Sequence, residues 1–169
     1  VIAPRSGAAG TSSPSLLDEH ADDEVVRSIR ALVFADVAGF SRLDDARVAR
    51  YDAEVLTRLA DVIDGFGDAI ELRETWGDGI YLVVDDVASA ARCALDLQRT
   101  MDSIDLASLG LDALRGLRVG AHVGPVLVGW DPIARRARFS GGHVTRAARI
   151  EPRTPEGAVY VTQQFAALA

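Results

Sequence analysis

The sequence contains no lysine: all 18 of its basic side chains are arginine. A P-loop requires a phosphate-reading lysine and a Schiff-base enzyme requires an amine, so neither chemistry can be built from this chain. Cysteine is almost as scarce. Cys93 has no partner for an internal disulfide and falls in an alanine-rich helical stretch, where the expectation is a small buried apolar group in a reducing compartment. No run approaches the ~18 consecutive apolar residues of a membrane span. The first residues also lack the basic head and apolar core of a signal peptide, so the sequence reads as cytoplasmic. Positive charge is in deficit, with 25 acidic against 18 basic residues and a net charge of −7. That balance argues against nonspecific binding to nucleic acid or an anionic membrane, while a local arginine cluster could still read phosphate. What is present is ordinary globular material. At 169 residues, 49% hydrophobic and 25% charged, the chain has one domain's worth of sequence and can bury ~70% of its unfolded surface.

Residues 1–28 read as a flexible arm, rich in small residues and then acidic, and residues 29–169 as the domain. ALVFADV (31–37) has no polar alternation, as expected of a strand buried on both faces. A turn follows at Ala38–Ser41. From Asp44, apolar residues at helical spacing (Val48, Tyr51, Val55, Leu59, Val62, Phe66) predict an amphipathic helix ended by Gly65 and Gly67. Residues 69–75 and 80–86 read as strands joined at Trp76, Gly77 and Asp78. A second helix carries Val87, Ala91, Ala94, Leu97 and Met101. Residues 117–124 and 125–130 then read as a strand pair, 131–142 as a basic turn-rich excursion, 143–151 as helical and 158–162 as a last strand. This order is the α+β, ferredoxin-like βαββαβ arrangement with extra strands, an antiparallel sheet flanked by helices, with the first and third strands adjacent at its centre.

That topology gives two carboxylates a joint meaning. Asp36 closes the first strand and Asp78 lies in the turn before the third, so the sheet brings them to one edge. Either alone could simply end a strand or cap a turn. Together they repel unless a cation joins them, and oxygen ligands beside a glycine turn with free amides suit Mg²⁺ or Mn²⁺ holding a triphosphate.

FADVAGFSRL (34–43), ETWGDGIYLV (74–83) and GGHVTRAARIE (141–151), in this order and spacing, resemble the class III nucleotidyl cyclase catalytic domain over roughly residues 30–168. The resemblance implies a homodimer with active sites shared between protomers. It implies two divalent cations held by Asp36, Asp78 and the Val37 carbonyl, and phosphates cradled by the amides of Gly39, Phe40 and Ser41. From the other protomer, Glu74 and Arg138 would face the base, and Thr145 and Arg149 the ribose and triphosphate. Thr145 and Arg149 are four apart, hence on one helical face, and an arginine at the α-phosphate offsets charge that grows in the transition state.

Departures from the family carry this chain's own information. Adenylyl-type enzymes place lysine and aspartate where Glu74 and Arg138 stand, and guanylyl types place glutamate and cysteine. Glu74 alone fits guanine. Arg138 is bulkier than cysteine, cannot accept a hydrogen bond and would fill part of a purine pocket, which favours a smaller base. The alternative is that the two form an ion pair. Tyr51 could stack on such a base, although it lies on the apolar stripe. ETWGDGIYLV and the segment 129–161 more narrowly resemble the bacterial cyclases of the Pycsar antiphage systems, which implies cyclisation of UTP or CTP to a messenger that reaches a separate effector. A guanylate or adenylate cyclase, or a weakly active regulatory module, are the other readings. The family's late phosphate-gripping lysine is missing, leaving an arginine such as Arg146 or Arg42 for that task. Arg135 and Arg136 read as interface contacts, and His122 and His143, without a spaced partner, as structural.

Overall fold

The computed structural model describes residues 25–169. Most of the arm expected over 1–28 lies outside the described residues; inside them, strand β1 spans Val26–Val37 and so takes in the last residues of the expected arm and starts before the strand expected from residue 31. A 3₁₀ turn over Phe40–Arg42 leads into α1 (Asp45–Tyr51), a π-helical stretch (Asp52–Leu56) and α2 (Thr57–Asp64). Asp44 starts this helical run as its sequence position predicts, its carboxylate accepting the Arg47 N–H at 2.9 Å. Strands β2 (Ile70–Trp76) and β3 (Gly79–Val84) form a hairpin, followed by α3 (Val87–Ser103). Then come β4 (Leu117–Asp131), β5 (Arg136–Ser140), α4 (Gly142–Ala147), β6 (Ala158–Val161) and α5 (Gln163–Ala166).

The sheet order is β2-β3-β1-β4-β5, with β6 added parallel to β4. β1 therefore lies between β3 and β4, antiparallel to both, as the ferredoxin-like reading requires.

Three local expectations change. The strand pair at 117–130 is one continuous strand. Pro125 suggests a break, yet it falls between the β6 contact, which ends at Ala121, and the β5 contact, which begins at Leu127. A missing N–H is tolerated where one flank of the strand has no neighbour. The excursion at 131–142 contains β5, paired back onto β4 through a turn in which Arg135 has φ 54°. The helix expected over 143–151 stops at Ala147, because a proline at 152 would drive its ring into the Ala148 carbonyl of a continued helix. Pro152 instead sits in a 3₁₀ turn over Glu151–Arg153.

Alternation along β1 divides the molecule. Ala31, Val33, Ala35 and Val37 face the helices and join Leu82, Val119, Tyr51, Leu59 and Leu97 in the main core. Leu32 and Phe34 face the other way, with Tyr81, Val83, Val126, Phe139 and Ala147. That second face is covered only in part, by α4, and the next residue in its series is Asp36.

Candidate functional site

Asp36 is carried by the end of β1, opposite Arg118 of β4 in register, and the two form an ion pair. Arg118 also places Nε 3.0 Å from Glu151 Oε1, a charge contact too poorly directed to count as a hydrogen bond. Ala35 pairs with Ile80, so the β2–β3 turn brings Asp78 beside Asp36. The carboxyl of Asp78 is pushed up to about 6, first by burial and then by the negative charge of Asp36, while its own amide and that of Val37 pull it the other way. Glu151 is raised as well, mainly by burial and Asp36, with Arg118 opposing. Three acids and one arginine thus share this edge. The sequence reading missed Arg118 and Glu151, because neither has a signature until β4 is laid beside β1.

The turn after β1 is built to stay open. Gly39 has φ 97°, and a Cβ there would stand 2.1 Å from the Ala113 carbonyl oxygen, so only glycine fits. The amides of Arg42 and Leu43 bond back to the carbonyls of Gly39 and Phe40. Those of Gly39, Phe40 and Ser41 take no backbone acceptor among the described residues. The Phe40 ring packs edge-on against Tyr51 at 5.0 Å and reaches toward Gly77, tying this loop to the turn that bears Asp78.

No cluster of three or more histidine, cysteine, aspartate or glutamate side chains able to hold a metal occurs among the described residues. The pair fits a hard cation on chemistry: two facing carboxylates, a strand-end carbonyl at Val37 and no soft donor. Such ions are commonly bound by one or two carboxylates together with substrate phosphates.

Farther along the same face, Glu74 of β2 sits opposite Tyr81 of β3. With Arg136, Arg138, Trp76 and Asp131 these residues line a cavity of about 220 Å³. Tyr81 stacks between Phe34 at 4.5 Å and Trp76 at 6.2 Å, and its buried hydroxyl has no partner. Glu74 accepts from Arg136 Nη2 at 2.6 Å. The ion pair weighed for Glu74 and Arg138 is therefore made by Arg136, which the sequence assigned to an interface. Residues 136 and 138 are two apart on a strand, hence on one face, and both line the cavity.

Tyr51 does not reach a base. It is 0% exposed in the main core, and burial together with Asp78, Asp52 and Asp36 holds its hydroxyl protonated. Thr145 is exposed on α4, and Arg149 is exposed in the turn after it, not in the same regular helix. Arg149 has no ion-pair partner among the described residues. His122 and His143, read as structural and without a partner at a telling spacing in the sequence, contact each other at 2.8 Å. Cys93 is buried, as expected. No described helix is long and apolar enough to cross a membrane.

Residues 25–169 match the adenylate and guanylate cyclase catalytic domain. The chain is 30% identical over 149 residues to an adenylate cyclase of Streptomyces coelicolor, covering 86% of this chain and 35% of that protein. It thus spans about a third of that relative's length. Its fold is like that of the guanylyl cyclase Cya2, with a TM-score of 0.74 at 25% identity, over 86% of this chain and 80% of the other. It also resembles the adenylyl cyclase CyaB from P. aeruginosa, with a TM-score of 0.69 at 17% identity, over 86% and 82%. Because the family match begins at the first residue of the described fold and runs to its last, taking in both acids and the turn between strand and helix, the chain belongs to the adenylate and guanylate cyclase catalytic domain family.

Proposed function

We propose that this chain is a homodimeric nucleotidyl cyclase that converts a pyrimidine nucleoside triphosphate, UTP or CTP, to its 3′,5′-cyclic monophosphate and pyrophosphate. The observation that carries the reaction is the Asp36–Asp78 pair beside the open turn at Gly39. Asp36, Asp78 and the Val37 carbonyl would hold two divalent cations, Mn²⁺ or Mg²⁺, which when bound stabilise negative charge on entering and leaving oxygens. The amides of Gly39, Phe40 and Ser41 bind phosphate oxygens. Arg118, beside Asp36, joins Arg146 and Arg42 as a group for the terminal phosphates. From the partner protomer, Arg149 offsets charge growing at the α-phosphate and Thr145 orients the ribose. The 3′ hydroxyl gives up its proton to solvent, and its oxygen forms the new bond to the α-phosphorus as the bond from that phosphorus to the bridging oxygen breaks and pyrophosphate leaves.

The pyrimidine preference rests on the cavity at Glu74. Two guanidinium groups, Arg136 and Arg138, stand in it with the Glu74 carboxylate. That combination supplies a donor and an acceptor to a small base while occupying room a purine would need. The local likeness to the Pycsar cyclases supports a messenger in antiphage defence that acts through a separate effector. The same contact favours a second reading. With Arg136 on one oxygen, Glu74 can offer the other to the N1 and N2 hydrogens of guanine, which would make GTP the substrate.

The test is to incubate the purified protein with each of the four ribonucleoside triphosphates and Mn²⁺ and to identify products by mass. Cyclic UMP or cyclic CMP is expected. Cyclic GMP alone would overturn the pyrimidine preference, and no product from any nucleotide would overturn the enzyme in favour of a regulatory module.

A further inference from the structure

Beneath α4 lies a chain of polar groups that the proposed reaction does not use. His122 projects from β4 onto the partly covered face, opposite Leu32. Its Nδ1 is 2.9 Å from Thr162 Oγ1 and its Nε2 is 2.8 Å from Nδ1 of His143, near the start of α4. The two rings are parallel within 4°, with centroids 5.1 Å apart. His122 is 1% exposed, so both of its ring nitrogens are partnered inside the protein. The backbone leaves room for the contact: a Cβ on Gly124 would fall 2.1 Å from His143 Nδ1. Thr162 in turn caps α5, accepting from the Phe165 N–H at 3.4 Å.

An apolar pair would fill this space without the desolvation cost of two imidazoles. Directional bonds add something apolar contact lacks, a single allowed placement of one element on another. α4 needs that constraint, since six residues cannot form a stable helix alone and its turn at Gly141 has a positive φ of 120°. Thr145 follows His143 by two residues, and Arg149 lies in the next turn.

We infer that His143, held by His122, which Thr162 anchors in turn, is a positioning residue that fixes α4 on the sheet and thereby places Thr145 and Arg149. The inference rests on the reading of those two residues as substrate groups. Arg146 of α4 and Arg27 of β1, which lines a cleft with His143, are the charged groups around the pair. Burial, His143 and Arg146 all disfavour positive charge on His122, which favours its neutral, hydrogen-bonding form.

Because His122 is buried and its replacement can fail to fold, the discriminating variants are at the half-buried His143. His143→Ala removes the bond, whereas His143→Asn keeps a polar atom at the Nδ1 position. Amide hydrogen exchange without nucleotide is expected to quicken about tenfold over residues 142–150 in His143→Ala and to return near wild type in His143→Asn. With substrate, kcat/KM is expected to fall about tenfold in His143→Ala, with an unchanged Mn²⁺ requirement, and to recover in His143→Asn. Exchange that is unchanged, or that rises equally throughout the sheet, overturns the inference whether or not the wild type cyclises any nucleotide. So does a local rise in exchange without any loss of kcat/KM in an active enzyme. A wild-type protein inactive on all four triphosphates overturns the cyclase reading alone.

Discussion

The two ends of the partly covered sheet face differ in how firmly they are held. At the Asp36 end the strand end and turn that carry the site are backed by the main core: Val37 is 1% exposed and Tyr51 0%, and the turn at Gly39 closes against Ala113. The side chains of Asp36, Arg118 and Glu151 retain only 27%, 28% and 13% exposure. At the Glu74 end the charged groups sit on β2 and β5, the outer strands of the sheet; Glu74 keeps 19% exposure over the buried Tyr81, but Arg136 and Trp76 are at least half exposed. The comparison teaches where a cyclase fold can change. Moving a group at the first end disturbs the packing of three strands. Exchanging a residue at the second alters only an edge, so on the proposed reading substrate choice can drift there while the chemistry stays in place.

The largest effect expected from breaking this contrast comes from the rigid end. Asp36→Asn or Asp78→Asn should lower turnover by about 10³-fold or more, since several kcal/mol of charge stabilisation is lost, while sedimentation shows an unchanged dimer. Full activity in either variant would sink the two-cation mechanism. Arg149→Ala comes next. Its kcat should fall by about 10² to 10³ with a smaller change in KM, measured in the same product assay. Gly39→Ala tests the rigidity itself, because a methyl group placed against the Ala113 carbonyl at positive φ should cost more than about 2 kcal/mol in a denaturant titration.

Substitutions at the open end sharpen the contrast from the other side. Arg136→Gln should leave the unfolding midpoint nearly unchanged, because a half-exposed ion pair contributes roughly 0–1 kcal/mol, yet it should change KM by about tenfold and alter the ranking of the four nucleotides. A large loss of stability with no change in ranking would show that this edge is structural.

The smallest effect is set by acid. His122 is held down to about 4 by burial, His143 and Arg146, below its ordinary value of 6.5. A depressed histidine favours the fold when neutral, so its contribution is complete above pH 6.5 and is lost as pH falls from there toward 4. Thermal melts should show a falling midpoint over that window, and the fall should diminish in His143→Asn. A flat profile would mean that His122 titrates normally.

Much of the site was legible because its parts are local in sequence. Asp36, the glycine turn and Asp78 lie at strand ends whose periodicity is clear, and strand order alone brings them together. Arg118 and Glu151 were not legible. An arginine on a strand and a glutamate before a proline carry no signal until β1 and β4 are in register. The same holds for Arg136, assigned to an interface because the excursion between two strands commonly lies in the dimer interface of the family the sequence resembles. Its guanidinium turns to Glu74 only because β5 folds back along β4. Tyr51 shows the reverse error. Its ring could stack on a base, but its place on the apolar stripe put it in the core, as hydrophobic periodicity predicts.

Composition excluded lysine chemistry, and pattern placed the first three strands, the two long helical runs and the two acids at their strand ends, because these follow from spacing along the chain. Which arginine meets which acid, and that two solitary-looking histidines form one buried pair, was decided by tertiary structure. Ion pairs and hydrogen bonds act over a few ångströms, and only the paired strands set those distances.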